Sequence, residues 1–149
     1  MSDPNHPCLI CSIAADAQRP VGGTVYRGEG LLVTAPLDPS PIPGWLVLAS
    51  ERHARALYDL EGSELAALGP LTARVMRAQR SALGAEHVYA FAIGDLLHHF
   101  HLHLVPRFAD TPNRLRGRGC FDARPQDALP AWQVIAAVEA VRKALSGAP

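Results

Sequence analysis

The segment HHFHLHLVPRF, residues 98–108, carries four of the chain's seven histidines and alternates three of them with Phe and Leu. Successive side chains of a β-strand point to opposite faces of the sheet. The alternation therefore predicts a strand over residues 98–105, with His99, His101 and His103 on one face. The apolar residues between them are predicted to lie on the other face, against a hydrophobic core. His98, next to His99, is expected on the core side or at a subunit contact.

The spacing of these histidines limits what they can do together. Neighbours on one strand face are about 6.6 Å apart, at about 3.3 Å per residue, so His99 and His103 are separated by about 13 Å. Zinc ligands lie only about 2.0–2.1 Å from the ion. Two of the three histidines could therefore share an ion, but all three could do so only if the strand bends sharply. At least one imidazole is expected to stay available for chemistry as nucleophile, base or hydrogen-bond partner. The alternative is that the three histidines only line a solvated polar face. A row of charged imidazoles is unfavourable, because like charges lower each other's pKa.

The 149 residues suit one domain with one hydrophobic core, and we predict a single domain over residues 1–149. The predicted order is a short helix, three strands, a long helix, two strands, a loop and a C-terminal helix. This order favours the α+β class with a mainly antiparallel sheet. The predicted elements are a short helix within 4–17, strands at 24–28, 31–35, 45–49, 86–93 and 98–105, and helices at 63–83 and from Pro130 onward.

Both long helices are predicted from apolar spacing. The first would bury Leu65, Leu68, Thr72, Val75, Gln79 and Leu83, and would continue with a kink through Gly69–Pro70. The last would bury Val134, Val138, Val141 and Leu145. The polar segment 109–129 between the final strand and the final helix is predicted to be a long surface loop.

Composition excludes several function classes. The formal net charge is zero, which argues against a nucleic-acid or membrane-surface binder. No apolar run is long enough for a membrane span, and the N-terminus lacks a signal-peptide pattern. We therefore expect a cytoplasmic protein, in which Cys8-x-x-Cys11 would be a metal or redox pair rather than a disulfide. The alternative is that both are buried core thiols. Cys120 has no partner motif and is expected to be structurally neutral.

The motif HFHLHLVPR, residues 99–107, resembles the histidine-triad (HIT) family of nucleotide hydrolases and transferases. Two upstream stretches are similar to further parts of that family: PGWLVLASERH, residues 43–53, and CLIC, residues 8–11, with the later VYRGEGLLVTAPLD. The resemblance covers about residues 8–108 and leaves residues 109–149, the loop and the C-terminal helix, outside its core. It implies a HIT-like fold, with a five-stranded, mainly antiparallel sheet and one long helix.

The resemblance also implies a site. The α-phosphate of a nucleotide would lie against the triad, His101 would attack phosphorus to form a nucleotidyl-histidine, and His103 would bind the phosphate oxygens. His99 is the third triad member. In zinc-bearing members of the family, the residues matching Cys8, Cys11, His53 and His99 close a structural site, so zinc is the expected cofactor. Family members are often two-fold dimers, which makes a homodimer a further expectation.

The nucleotide-binding positions depart from the family pattern. Asp38 matches an acidic residue that bonds ribose hydroxyls, although it could equally be an Asp in the turn before Pro39. Gly94, Asp95 and Leu96 stand where many members carry a glycine-rich loop with glutamine and serine. An ionised Asp95 would repel a phosphate unless it points away or pairs with a histidine. Trp45, in place of the commoner histidine after Pro-Gly, is expected to be a packing residue.

These residues predict hydrolysis of a phosphoanhydride or phosphoramidate next to a nucleoside α-phosphate, with dinucleoside polyphosphates as one candidate substrate. The first alternative is a catalytically weak nucleotide-binding or zinc-stabilised interaction protein, which Asp95 favours. The second is a zinc hydrolase in which two triad histidines and an outside residue hold an open metal.

Overall fold

The computed structural model of the protein describes residues 8–37 and 40–147. Two long helices and five strands make up most of it, with a short helix near the start of the described chain. Their bounds are α1 Leu9–Ala14, β1 Thr24–Gly28, β2 Leu31–Thr34, β3 Leu46–Ser50, α2 Gly62–Leu83, β4 His87–Phe91, β5 His101–Arg107 and α3 Ala131–Gly147.

The five strands form one sheet in the order β1-β2-β3-β5-β4, and every neighbouring pair is antiparallel. The predicted α+β class, five-stranded antiparallel sheet and order of elements are confirmed. The central pair, β3 and β5, decides what lies beside the histidines. In its register Ala49 is opposite His101, and Val47 is opposite His103.

One face of the sheet is covered by α2 and α3. Their buried side chains join those of β2, β3 and β5 in one core cluster, which includes Leu31, Leu48, Leu104, Val75 and Val141. The predicted stripe of α3 is confirmed, since its four residues are all buried. The predicted face of α2 is partly wrong. Leu65 is 49% exposed, and the buried residues of the helix are Glu64, Leu71, Val75, Ala78 and Gln79.

The other face of the sheet carries the histidines and is covered by shorter segments. At one end Ile10 and Ile13 of α1 pack against Leu32 and Ala49. At the other end residues 113–127, which form three short 3-10 helices, pack their buried Cys120 against the sheet. The segment 109–129 is therefore not simply a surface loop, and Cys120 is a core residue rather than a neutral one. Apolar periodicity could not reveal this, because single side chains and not a repeating stripe make the contact.

The start of β5 also differs from the prediction. The strand begins at His101, and residues 98–100 lie in a bend before it. There the N–H of Phe100 donates to the carbonyl of Ala54, 2.6 Å away, in the segment after β3. His98 is consequently exposed instead of facing the core. Beside this bend the His99 side chain contacts Cys8 and Cys11.

Of the helices in the described ranges, even the 22-residue α2 lacks the sustained apolar stretch that crossing a bilayer requires.

Candidate active site and metal centre

Four predicted ligand residues from three separate parts of the chain meet at one end of the sheet. Cys8 and Cys11 lie at the start of α1, His53 follows β3, and His99 precedes β5. Their potential ligand atoms all lie within 4.8 Å of one another. Cys8 Sγ is 3.2 Å from His99 Nδ1, and Cys11 Sγ is 3.3 Å from His53 Nδ1. The structure therefore brings together the whole Cys2His2 set.

His99 is held in the tautomer whose Nδ1 lone pair faces the cysteines, as a metal ligand requires. Its Nε2 lies 2.8 Å from the carbonyl oxygen of Ser50. A carbonyl can only accept, so Nε2 carries the proton and the lone pair of Nδ1 faces the two sulfurs. Burial lowers the pKa of His99, and the charges of His53 and His101 lower it further, against the opposing effect of the Ser50 bond. A neutral imidazole oriented by a backbone carbonyl is the usual form of a metal-ligating histidine.

The two thiols complete a donor set suited to zinc. Burial, followed by the hydrogen bond and the negative charge of Cys8, raises the pKa of Cys11 to about 11. A divalent cation reverses this preference, because thiols that coordinate a metal are deprotonated. Two sulfurs and two imidazole nitrogens form the tetrahedral set typical of structural zinc. By this chemistry the residues fit a zinc ion.

His101 has a nucleophilic nitrogen available. Its Nδ1 lies 2.7 Å from the carbonyl oxygen of His99. That carbonyl must accept, so the proton is on Nδ1 and the lone pair is on Nε2. The side chain retains 9% of its surface exposed and is not among the four residues of the metal cluster. The bend at residues 98–100 has thus divided the triad into one candidate metal ligand and two imidazoles left for other chemistry.

His103 lies beside His101, with 5.0 Å between the ring centroids and the planes nearly perpendicular. The indole Nε1–H of Trp45 donates to His103 Nδ1 over 3.2 Å, and the Phe121 ring packs edge-on at 5.1 Å. Burial, together with the charge of His101, lowers the pKa of His103 to about 4. His103 is therefore neutral near pH 7, which favours a hydrogen-bond donor over a charged group at this position.

Three of the four predicted nucleotide-binding residues share one loop. Gly94, Asp95 and Leu96 lie in the loop between β4 and β5, where Asp95 and Leu96 are exposed. Within the described residues Asp95 makes no hydrogen bond or ion pair, so it is not paired with a histidine. Gly94 has φ +83°, a left-handed conformation that suits glycine. Asp38 lies outside the described residues.

A surface cleft of about 410 Å³ lies beside His53 rather than over His101. Two of its lining residues are arginines that could attract an anion. Both are already engaged, Arg52 with Glu64 at 2.8 Å and Arg55 with Asp59 at 3.5 Å. Their neutralised charge makes this cleft a poor candidate for a phosphate site, and the triad remains the stronger one.

Sequence reasoning missed three contributors to the site: Ser50, Trp45 and Phe121. Ser50 orients His99, while Trp45 and Phe121 contact His103. Trp45 was expected only to pack, and Phe121 lies in the segment expected to be a surface loop. The position of Trp45 could be inferred only from the register of β3 against β5. In that register its neighbour Leu46 is opposite Leu104, which follows His103.

No family model matches the sequence, and no curated protein does either. Solved structures are similar to it. A Zn-bound histidine triad family protein from Mycobacterium smegmatis is 20% identical with TM-score 0.71, covering 94% of each chain. A hypothetical histidine triad nucleotide-binding protein from Sulfolobus tokodaii is 16% identical with TM-score 0.73, over 93% of this chain and 92% of that one. A histidine triad protein from Bradyrhizobium japonicum is 26% identical with TM-score 0.63, over 77% and 82%. In the first two, the similarity extends beyond residues 8–108.

Proposed function

We propose that this chain, whose fold and triad support membership of the histidine-triad family, cleaves a phosphoanhydride or phosphoramidate bond next to a nucleoside α-phosphate. The observation that carries the proposal is the hydrogen bond from His101 Nδ1 to the His99 carbonyl. It leaves a lone pair on His101 Nε2, in a ring held rigidly by the backbone. Neutral imidazole is an effective nucleophile near pH 7.

The reaction takes place in two displacements. His101 Nε2 donates its electron pair to the α-phosphorus, and the bond from phosphorus to the leaving group breaks with its electrons on that group, which takes up a proton from solvent when it is an amine. Water then attacks the nucleotidyl-histidine, loses a proton to solvent, and releases the nucleoside monophosphate with the electron pair returned to Nε2. While Nε2 is bonded to phosphorus the ring is positively charged. The His99 carbonyl, which accepts from Nδ1–H at 2.7 Å, stabilises that charge.

The proposed zinc ion is structural and is held by Cys8, Cys11, His53 and His99. A closed set of four protein ligands contributes to folding and leaves no open position for a substrate. His99 then connects the two halves of the site, because its ring belongs to the metal cluster and its carbonyl orients His101. In this arrangement the ligands hold the start of β5, and with it the nucleophile, in place.

The remaining binding roles are proposed on the family resemblance. Asp38 would bond the ribose hydroxyls, and the backbone of the loop at Gly94 would contact the phosphate. Asp95 and Leu96 are exposed, so their side chains would face the leaving group or solvent instead of the α-phosphate. A homodimer is likewise a proposal.

The decisive variant is His101→Asn, with His98→Asn as matched control because His98 is exposed and lies just outside the site. With an adenosine 5′-phosphoramidate or a dinucleoside polyphosphate, His101→Asn should lose at least about 10³-fold in turnover. It should keep its melting temperature and its binding of AMP. Intact mass after an alkaline quench should show a nucleotidyl adduct in the wild type and in His98→Asn only. Undiminished turnover in His101→Asn would contradict the mechanism.

The second candidate is a nucleotide-binding protein with little catalysis. It is favoured by Asp95 in place of the family's glutamine and by the small exposed fraction of His101. In that case the wild type and His101→Asn would bind AMP equally, and neither would turn over substrate or form an adduct.

A further inference from the structure

Trp45 makes a directed polar contact with the third histidine of the triad. It lies immediately before β3, is 8% exposed, and meets His103 edge-on with 5.6 Å between the ring centroids. Its Nε1 is 3.2 Å from His103 Nδ1. The indole nitrogen is a donor only, so His103 Nδ1 must be the acceptor. A neutral imidazole has one N–H, which is then on Nε2.

We propose that Trp45 is a positioning residue that fixes the proton of His103 on Nε2, so that this ring presents a hydrogen-bond donor to the reacting phosphate. The part concerning phosphate rests on the proposed function, whereas the assignment of the proton does not. Within the described residues nothing accepts from His103 Nε2. The two nitrogens of an imidazole point in widely different directions, so a ring bound to Trp45 through Nδ1 keeps Nε2 for a ligand.

The two neighbouring histidines then have complementary nitrogens. The His99 carbonyl leaves His101 with a lone pair on Nε2, and Trp45 leaves His103 with a proton there. A phosphate needs both, a nucleophile for phosphorus and a donor for an equatorial oxygen. The opposite tautomer of His103 would turn a second lone pair toward an anion.

The surroundings of His103 reinforce this assignment. Val47 lies opposite it in β3, Phe91 opposite it in β4, and Phe121 packs on it from the segment 117–122. None of these carries a charge, and His101 is the titratable group beside it. A second proton on His103 would have to be placed on Nδ1, directly against the indole N–H. Trp45 therefore opposes the imidazolium form as well as the wrong tautomer.

The test is the long-range ¹H–¹⁵N spectrum of the ¹⁵N-histidine-labelled protein at pH 7.5. In the wild type His103 should show a protonated Nε2 and a bare Nδ1. Trp45→Phe should give a mixture of the two tautomers, and Trp45→His, which restores a ring N–H, should recover the wild-type pattern. Phe121→Leu is the matched control. It removes a ring that contacts both Trp45 and His103 but keeps the indole N–H, so the tautomer should not change.

Two results would overturn the proposal: a proton on Nδ1 in the wild type, or an unchanged spectrum in Trp45→Phe. The wild-type spectrum decides even if Trp45→Phe does not fold. Turnover should fall about five- to tenfold in Trp45→Phe, the value of one hydrogen bond, and recover in Trp45→His. A wild type with the Nε2–H signature that neither binds nor processes nucleotides would contradict the proposed function and leave the role of Trp45 supported.

Discussion

The two faces of the sheet are built differently. The face against α2 and α3 is covered by two long helices whose side chains form one continuous apolar cluster. The histidine face is covered by the six-residue α1 and by the 3-10 segment 113–127, which pack in two separate clusters. His101 and His103 lie on this second face. The comparison indicates that the first face holds the larger apolar core, while the second combines two small apolar clusters with a few polar contacts between distant residues.

The largest expected effect comes from breaking the metal cluster. Cys11→Ser should abolish stoichiometric zinc binding and lower the free energy of unfolding by about 4 kcal/mol at zinc concentrations a thousandfold above the dissociation constant. Metal content by mass spectrometry and the melting temperature measure both. Cys120→Ala is the control, because Cys120 is outside the cluster and its variant should retain one zinc per chain. Equal zinc content in Cys11→Ser and the wild type would contradict the proposed metal centre.

A change of similar size on the helix face should leave the chemistry intact. Leu31 is fully buried in the core cluster on the helix-covered face, so Leu31→Ala should cost about 3 kcal/mol through lost burial and the cavity left behind. Denaturant unfolding gives this value. Below the melting transition kcat should stay within about twofold of the wild type, because no contact of His101 changes. A selective loss of kcat in the folded variant would show that the two faces are not separable.

The smallest expected effect is a pH dependence of stability that originates on the histidine face. His103 titrates at a pKa of about 4 in the folded protein and near 6.5 when unfolded. Between these values the unfolded chain binds more protons, so stability falls as pH falls from 6.5 to 4. After screening by solvent we expect about 1–2 kcal/mol from this group.

Melting temperatures at pH 7.5 and pH 4.5 measure the effect, with His103→Gln as the comparison. The variant keeps the four candidate metal ligands and the buried His99, whose pKa is also lowered. Its loss of stability on acidification should therefore be smaller than that of the wild type but not zero. An identical loss in both proteins would show that His103 is not buried in its neutral form.

Local sequence patterns predicted many of the elements of the fold. Alternation in residues 98–105 predicted a strand, which the structure begins at His101, apolar spacing predicted α3, and the order of elements predicted an antiparallel α+β sheet. The Cys-x-x-Cys pair with His53 and His99, interpreted through a family resemblance, predicted a cluster that the structure assembles. Such features are readable because strand and helix periods are properties of the backbone itself.

The family resemblance predicted different roles for the histidines, but only the tertiary structure shows the contacts that separate them. A period of two predicted three of them on one face; in the structure Phe100 donates to Ala54 just before β5, and the neighbouring His99 contacts the cysteines. The proton positions of two of the rings depend on partners far away in sequence, Ser50 for His99 and Trp45 for His103. Phe121 reaches His103 from a segment without apolar periodicity. Hydrogen-bond donors and acceptors act over about 3 Å in space, and no spacing along a chain encodes which distant group fills that distance.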